Sequence, residues 1–288
     1  MQSISELRRQ IRGISSTQKI TRTMKMVASA RYNKALSLMH NSQVFYRELK
    51  STFDQLSSAV EGPQSRQNLF TSQPSFTDNR AGVIIMTSDK GLCGDFNTGI
   101  LKAAKKYIQE REDSVSAVFA VGRKAVNFVR RNGFPLIHEY PLVTTGVEFA
   151  FADKIGREIM KIFDKEKLTS IKCISSRFES RGKMNVSLTS LLPLMKGKAE
   201  ESADLLFEPR NSEEIFGTLI PLIFKAELFS LIQESYVSEL SSRITAMDNA
   251  TTNAGVLIDE ITLEMNKARQ SAITREIAEI IGTNEVLK

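Results

Sequence analysis

Between Tyr236 and Lys288 the apolar and small residues return at alternating steps of three and four: Leu240, Ile244, Met247, Thr251, Ala254, Ile258, Ile261, Met265, Ala268, Ala272. That spacing lays one stripe along an α-helix. The mean step is close to about 3.5, and a stripe of that period held over several heptads predicts a coiled coil, because the seam must keep facing one partner. At 1.5 Å per residue such a helix spans roughly 75 Å. It needs a partner helix, and the other end of the chain offers one. Ile4, Leu7, Ile11 and Ile14 start a second stripe that continues through Met24, Val27, Arg31, Ala35, Leu38, Ser42, Phe45, Leu49, Phe53 and Leu56. Gly13 is the only nearby breaker, and one interior glycine costs about 1 kcal/mol without ending a helix. Two long terminal helices predict an antiparallel pair with the middle of the chain as a head.

The middle has a different rhythm. Gly82 to Thr87 is a short β-branched run that reads as a buried strand. A helix follows at Asn97 to Arg111, a strand at Val115 to Val121, a helix at Arg123 to Asn132 and a short strand at Leu136 to His138. Next come a helix at Val147 to Lys165 and strands at Ser170 to Ser175 and Asn185 to Leu192, joined by a polar turn at Glu179 to Lys183. Alternating strands and helices predict a parallel α/β sheet of Rossmann-like type, with the last two strands suited to an antiparallel hairpin. The expected class is α/β: a long antiparallel coiled coil plus a small Rossmann-like head. The expected division is 1–61 N-terminal helix, 62–80 linker, 81–208 head and 209–288 C-terminal helix. Asn211 to Glu214 suit a helix cap. Pro221 either kinks that helix or starts the long one, and Gly282 suits a helix-ending position. The most apolar run, Ile215 to Ile232, is interrupted by Gly217, Thr218, Pro221, Lys225, Glu227 and Ser230. On that ground no membrane span is expected, and the chain reads as soluble or peripheral. The first residues enter helical pattern directly, as in a mature or bacterial protein.

Charge sharpens the picture. The chain carries +6 overall, yet residues 1 to 60 hold ten Lys/Arg against three acids, with no acid between Glu6 and Glu48. Arg8, Arg9, Arg12, Lys19, Arg22, Lys25, Arg31 and Lys34 form a basic sleeve on the first helix. Such a surface suits an acidic partner, and a solvated face is the plain alternative. Nucleic acid is the rival reading, a basic coiled-coil binding or adaptor protein. Tyr32 is the only aromatic within the sleeve, and no nucleic-acid signature occurs.

Catalytic chemistry finds little support. Cys93 and Cys173 are too few for a disulfide framework and fit a reducing compartment. The cysteine in the loop reads as semi-buried and the other as core. His40 and His138 are the only histidines, and neither belongs to a zinc or triad pattern. The loop Ser88 to Asn97 lies between a strand and a helix, where phosphates bind in many folds. Its glycines, Gly91, Gly94 and Gly99, do not make G-x-G-x-x-G, and no Walker A motif occurs. No cofactor, no metal and no independent enzymatic activity are expected.

Three blocks then carry a family resemblance. Thr17-Gln18-Lys19-Ile20-Thr21-Arg22-Thr23-Met24-Lys25-Met26-Val27-Ala28 resembles the N-terminal signature of the ATP synthase gamma subunit family. Ser88-Asp89-Lys90-Gly91-Leu92-Cys93-Gly94-Asp95-Phe96-Asn97 resembles its central loop. Ser238-Glu239 with Arg243, Ala246 and Met247, then Asn266 through Glu276, resembles its C-terminal signature. The resemblance covers nearly the whole chain in the family's order.

It implies a noncatalytic rotor that couples ion-driven rotation of a membrane c-ring to ATP synthesis or hydrolysis in an α3β3 ring. One copy would serve each complex, with the epsilon subunit as a further partner, on the cytoplasmic face of a bacterial membrane. It implies that the central loop is structural, turning the chain where head and shaft meet. Met24, Lys25, Arg269, Gln270 and Thr274 would contact a β subunit. Ile273, Ile277, Ile280 and Ile281 would form an apolar tip sheathed by the top of the ring, and for Ile277 a seam position is equally open. Arg8, Arg9, Arg12, Lys19, Arg22, Arg31 and Lys34 would face acidic β loops. Arg275 departs from the glutamine or lysine of many relatives, and the cysteine-bearing regulatory insertion of chloroplast forms is absent.

Overall fold

In a computed structural model of the chain, residues 3–59, 80–141, 148–194 and 212–286 are described. The expected linker at 62–80 apart from Arg80, the first residue of the expected helix at Val147 and the cap residue Asn211 lie outside them. The chain divides into two compact units, one made of Met1–Ser29 with Arg243–Lys288 and the other of Ala30–Ser242.

The larger unit is built on β1 (Ala81–Met86), whose residues are all buried. A strand apolar on every position must be covered on both faces, as in the middle of a parallel sheet. β1 pairs in parallel with β2 (Val115–Val121) and with β4 (Ser170–Ser180). β3 (Leu136–Tyr140) pairs in parallel with β2, and β5 (Lys183–Leu192) returns antiparallel on β4, giving the order β3-β2-β1-β4-β5. The expected hairpin is therefore present.

Helices α2 (Phe96–Gln109) and α3 (Arg123–Asn132) cover one face of the sheet. There Val83, Ile85, Val118 and Ala120 meet Phe96, Ile100, Ile108 and Val129. The other face packs on α4 (Phe149–Lys165) and on parts of two long helices. These are α1 (Ile4–Ala59) and α5 (Ser212–Val286). Ile84, Phe119, Ile171 and Cys173 belong to one core with Ile155, Phe163, Phe53, Phe224 and Leu228.

Three sequence expectations need correction. α5 begins before Pro221 and runs through it, so the proline does not start the long helix. Its missing N–H leaves the Gly217 carbonyl without the usual intrahelical donor. α5 also continues past Gly282 to Val286, since a single glycine weakens a helix without obliging it to stop. Finally, α5 does contain an 18-residue stretch long and apolar enough to cross a membrane, of which 56% is buried. Ile220, Ile223, Phe224, Leu228, Leu231 and Ile232 lie in the sheet's core. The interrupting polar residues are too few to lower its hydropathy, and its apolar side is a protein-packing surface.

The smaller unit is a pair of helical segments. Lys25 meets Asp248 at 2.6 Å, the Thr21 and Thr251 hydroxyls meet at 2.7 Å, and Gln18 Nε2 donates to the Thr251 carbonyl at 3.2 Å. Residue numbers fall on one segment as they rise on the other, so the segments are antiparallel. Of the C-terminal stripe, Ile244, Met247, Thr251, Ala254, Ile258, Ile261, Met265, Ala268 and Ala272 are buried or half-buried here, and Leu240 is buried in the larger unit.

The α1 stripe holds at Leu7, Ala35, Ser42 and Phe53, which are buried, and departs from the prediction at four positions. Val27, Arg31, Leu38 and Phe45 are exposed, while Ala28, Tyr32, Ala35, Met39, Ser42 and Phe53 are buried. The true seam keeps its heptad steps and places small residues at Ala28, Ala35 and Ser42. Small side chains allow close helix approach, which apolar size alone does not reveal.

Candidate functional site

The loop after β1 is held by the side chains of Thr87, Ser88, Asp89 and Asn97. Thr87 Oγ1 donates to the Val121 carbonyl at 3.2 Å and accepts from the Ala125 N–H at 2.8 Å. Asp89 Oδ1 accepts from the Arg123 N–H at 2.8 Å, at the start of α3. Asn97 Oδ1 accepts from the Ser88 N–H at 3.0 Å, and its Nδ2 reaches Ser88 Oγ at 2.8 Å and Cys93 Sγ at 3.1 Å. Gly122 stands at φ +90, where an added Cβ would lie 2.1 Å from the Thr87 carbonyl oxygen. Only glycine fits that approach. Cys93 is fully buried, deeper than its sequence context suggests. Burial pushes the Cys173 thiol well above its ordinary range, leaving it a packing residue.

α5 grips this region by hydrogen bonds to backbone. Ser242 Oγ donates to the Cys93 carbonyl at 2.6 Å. Ser241 Oγ accepts from the Gly182 N–H at 2.8 Å, in the β4–β5 turn, and Glu234 accepts from the Phe178 N–H at 3.2 Å. Burial raises the Glu234 carboxyl, opposed by Arg177, whose Nε lies 3.9 Å away. One face of α5 is thus buried yet polar. Two turns earlier Glu227 is also mostly buried and hydrogen-bonded to Tyr46 of α1, and desolvation moves its carboxyl up to about 7 against the pull of Tyr46 and Lys50.

In the smaller unit, Arg269, Gln270 and Thr274 are exposed. Thr274 Oγ1 donates back to the Gln270 carbonyl at 2.9 Å. Lys267, Gln270, Ser271, Thr274, Arg275 and Ala278 line one shallow, open concavity. Ile273, Ile277 and Ile280 are 48%, 51% and 65% exposed, so these three are not seam residues. The Ile281 side chain lies outside the described residues. Arg8, Arg9, Arg12, Lys19 and Arg22 are exposed, and no ion pair engages them among the described residues. Met24 and Lys25 are half-buried, and Asp248 engages the Lys25 ammonium. Arg31 and Lys34, exposed as well, belong to the larger unit.

A family model described as ATP synthase matches residues 3–287. The chain is 35% identical to the ATP synthase gamma chain of Halothermothrix orenii over the whole of both chains. It is 34% identical to that of Elusimicrobium minutum, covering 100% of this chain and 99% of the relative. The chain belongs to the ATP synthase gamma chain family.

Solved structures of such assemblies share the fold at lower identity. A chain of the Euglena gracilis mitochondrial ATP synthase rotor matches 94% of this chain with a TM-score of 0.67 and 18% identity. One from the Tetrahymena thermophila mitochondrial ATP synthase central stalk and c-ring matches 80% with a TM-score of 0.61 and 22% identity. Within this gamma-family chain, sequence reasoning missed Glu234, Ser241 and Ser242. Glu234 and Ser241, seven residues and so two turns apart on one helix side, were the available signal, but the partners of all three are backbone groups of distant segments.

Proposed function

We propose that this chain is the noncatalytic rotor of an F1Fo ATP synthase. It turns within an α3β3 ring and couples rotation of a membrane c-ring to ATP synthesis or hydrolysis. The observation that carries the reading is the end-to-end relationship to ATP synthase gamma chains, reaching 35% identity. The exposed face of the smaller unit supports it. Arg269 and Gln270 supply a planar fork and an amide for directional hydrogen bonds to a β subunit, with Thr274 beside them. Ile273, Ile277 and Ile280 offer apolar surface that needs a sheath, and Ile281 completes the proposed tip. Met24 and Lys25 border the β contact, and Arg8, Arg9, Arg12, Lys19, Arg22, Arg31 and Lys34 face acidic loops of the ring.

One copy serves each complex, with the epsilon subunit as a further partner. The assembly sits peripherally on the cytoplasmic face of a bacterial membrane. In working terms the chain divides into shaft helices at 1–61 and 209–288, a linker at 62–80 and a head at 81–208. The test is co-expression with α and β subunits, followed by native mass and ATPase turnover. One copy per six-subunit ring, with turnover falling for Arg269→Ala and Gln270→Ala, is the expected result. A ring that excludes the chain, or turns over identically without it, overturns the reading.

A further inference from the structure

On one side of the larger unit the charged residues of the covering helices are all of one sign. α2 and α3 lie on the same sheet face and touch each other. Their inward positions, Ile100, Ala104, Ile108, Ala125 and Val129, are buried. Their outward positions include Lys102, Lys105, Lys106, Arg123, Lys124, Arg130 and Arg131, all exposed, and neither helix contains an acid. The acids nearby lie at its margins. Glu110 reaches Lys106 at 3.9 Å, Glu139 pairs with Arg130 at 2.7 Å, and Asp89 accepts from the α3 backbone. No ion pair engages Lys102, Lys105, Arg123, Lys124 or Arg131 among the described residues. α4, on the other sheet face, mixes Asp153, Glu158 and Asp164 with Lys154, Arg157, Lys161 and Lys165. Interspersed signs are the ordinary arrangement for a solvated surface, so the α2–α3 face is the exception.

We propose that the α2–α3 face binds an anionic lipid surface. A protein partner of defined shape wants a desolvated centre with aromatic or aliphatic anchors. Here the large apolar residues of both helices point inward, and Tyr107 is buried. A nucleic acid would want aromatic stacking platforms, which these helices do not expose. Flexible cations without anchors suit mobile, closely spaced negative headgroups, where each charge adds attraction without requiring a fixed register. The proposal stands on this face alone; the rotor reading adds only that a membrane is near.

The experiment uses the full chain with vesicles of phosphatidylcholine, and of phosphatidylcholine with about 30% phosphatidylglycerol, in a flotation assay. The face variant carries Lys102→Gln, Lys105→Gln, Arg123→Gln, Lys124→Gln and Arg131→Gln. A comparator carries Arg8→Gln, Arg9→Gln, Arg12→Gln and Arg22→Gln, because α1 is basic as well. The expected result is binding to the anionic vesicles only, weakened about tenfold or more in the face variant, changed less than about threefold in the comparator, and fading as salt rises. Lys102→Arg with Lys105→Arg retains binding, which separates charge from folding. Equal loss in both variants, or none in the face variant, overturns the proposal. So does indifference to vesicles combined with salt-sensitive capture of polyglutamate, which would assign the face to an acidic protein. Failure of ring assembly in native mass would count against the rotor reading and leave this result untouched.

Discussion

The hydroxyl of Ser242 lies 2.6 Å from the carbonyl oxygen of Cys93, tying α5 to the loop that follows β1. The same carbonyl also accepts from the Phe96 N–H at 3.3 Å. Ser242→Ala therefore removes the shorter of two bonds and leaves the oxygen partly satisfied. The expected loss is about 1 kcal/mol of unfolding free energy, read as a lower urea midpoint with unchanged slope. A midpoint equal to the parent's would show that the contact contributes nothing.

Gly122 gives the steepest expectation. Its φ of +90 and the 2.1 Å approach of the Thr87 carbonyl to an added Cβ leave no room for a side chain. Gly122→Ala should destabilise by about 3 kcal/mol or more, combining backbone strain with displacement of the β1–α2 loop. Gly133→Ala is the control, since its φ of +68 adds conformational strain while nothing lies within 4 Å. Equal stability of the two variants would contradict the steric argument.

Glu227 makes stability depend on pH. Its carboxyl is raised from 4.5 to about 7, chiefly by desolvation. The unfolded chain therefore releases this proton first as pH rises. Folding stability is highest below about pH 4.5 for this group, falls as pH climbs toward about 7, and stays reduced above that. Glu227→Gln removes the dependence. Its advantage over the parent should be small near pH 5 and grow by roughly 2 kcal/mol near pH 8, measured by urea denaturation at both values. Comparing the two chains cancels the other shifted carboxyls, Asp164 and Glu234 (raised) and Asp153 (lowered). A constant gap across pH would show that Glu227 does not titrate in this window.

Lys25 and Asp248 form a short ion pair whose side chains remain 35% and 52% exposed. Exposed pairs gain little after screening and side-chain entropy. A double-mutant cycle with Lys25→Ala and Asp248→Ala should return a coupling of about 0.5 kcal/mol, shrinking in high salt. A salt-insensitive coupling of several kcal/mol would mean that the pair is more sheltered than its exposure indicates.

Legibility in the sequence differed between elements for physical reasons. β2 and α3 fall on their predicted bounds because a dense apolar run and an amphipathic segment flank Gly122, whose backbone only glycine adopts easily. The α5 stripe was readable because its steps of three and four persist over many turns, even with Val256, Leu257 and Leu263 exposed beside it. On α1, the predicted Val27, Leu38 and Phe45 outrank Ala28 in hydrophobicity yet are exposed, while Ala28 is buried together with the predicted Ala35 and Ser42. Exposure of the proposed contact residues on α5 agrees with their sequence context. The Lys25 partner, 223 residues away, and the backbone partners of Glu234, Ser241 and Ser242 depend on tertiary register that no local pattern encodes.

The grip of α5 on the sheet has a consequence for how this protein can vary. Glu234 and Ser241 bind main-chain amides at Phe178 and Gly182, and Ser242 binds a main-chain carbonyl at Cys93. Amides and carbonyls are supplied by nearly any residue that can adopt the local backbone. The receiving side can therefore drift in amino-acid identity with the attachment intact, while each change on the helix side removes a tether. Mutational tolerance across this junction should be lopsided, with α5 the constrained partner.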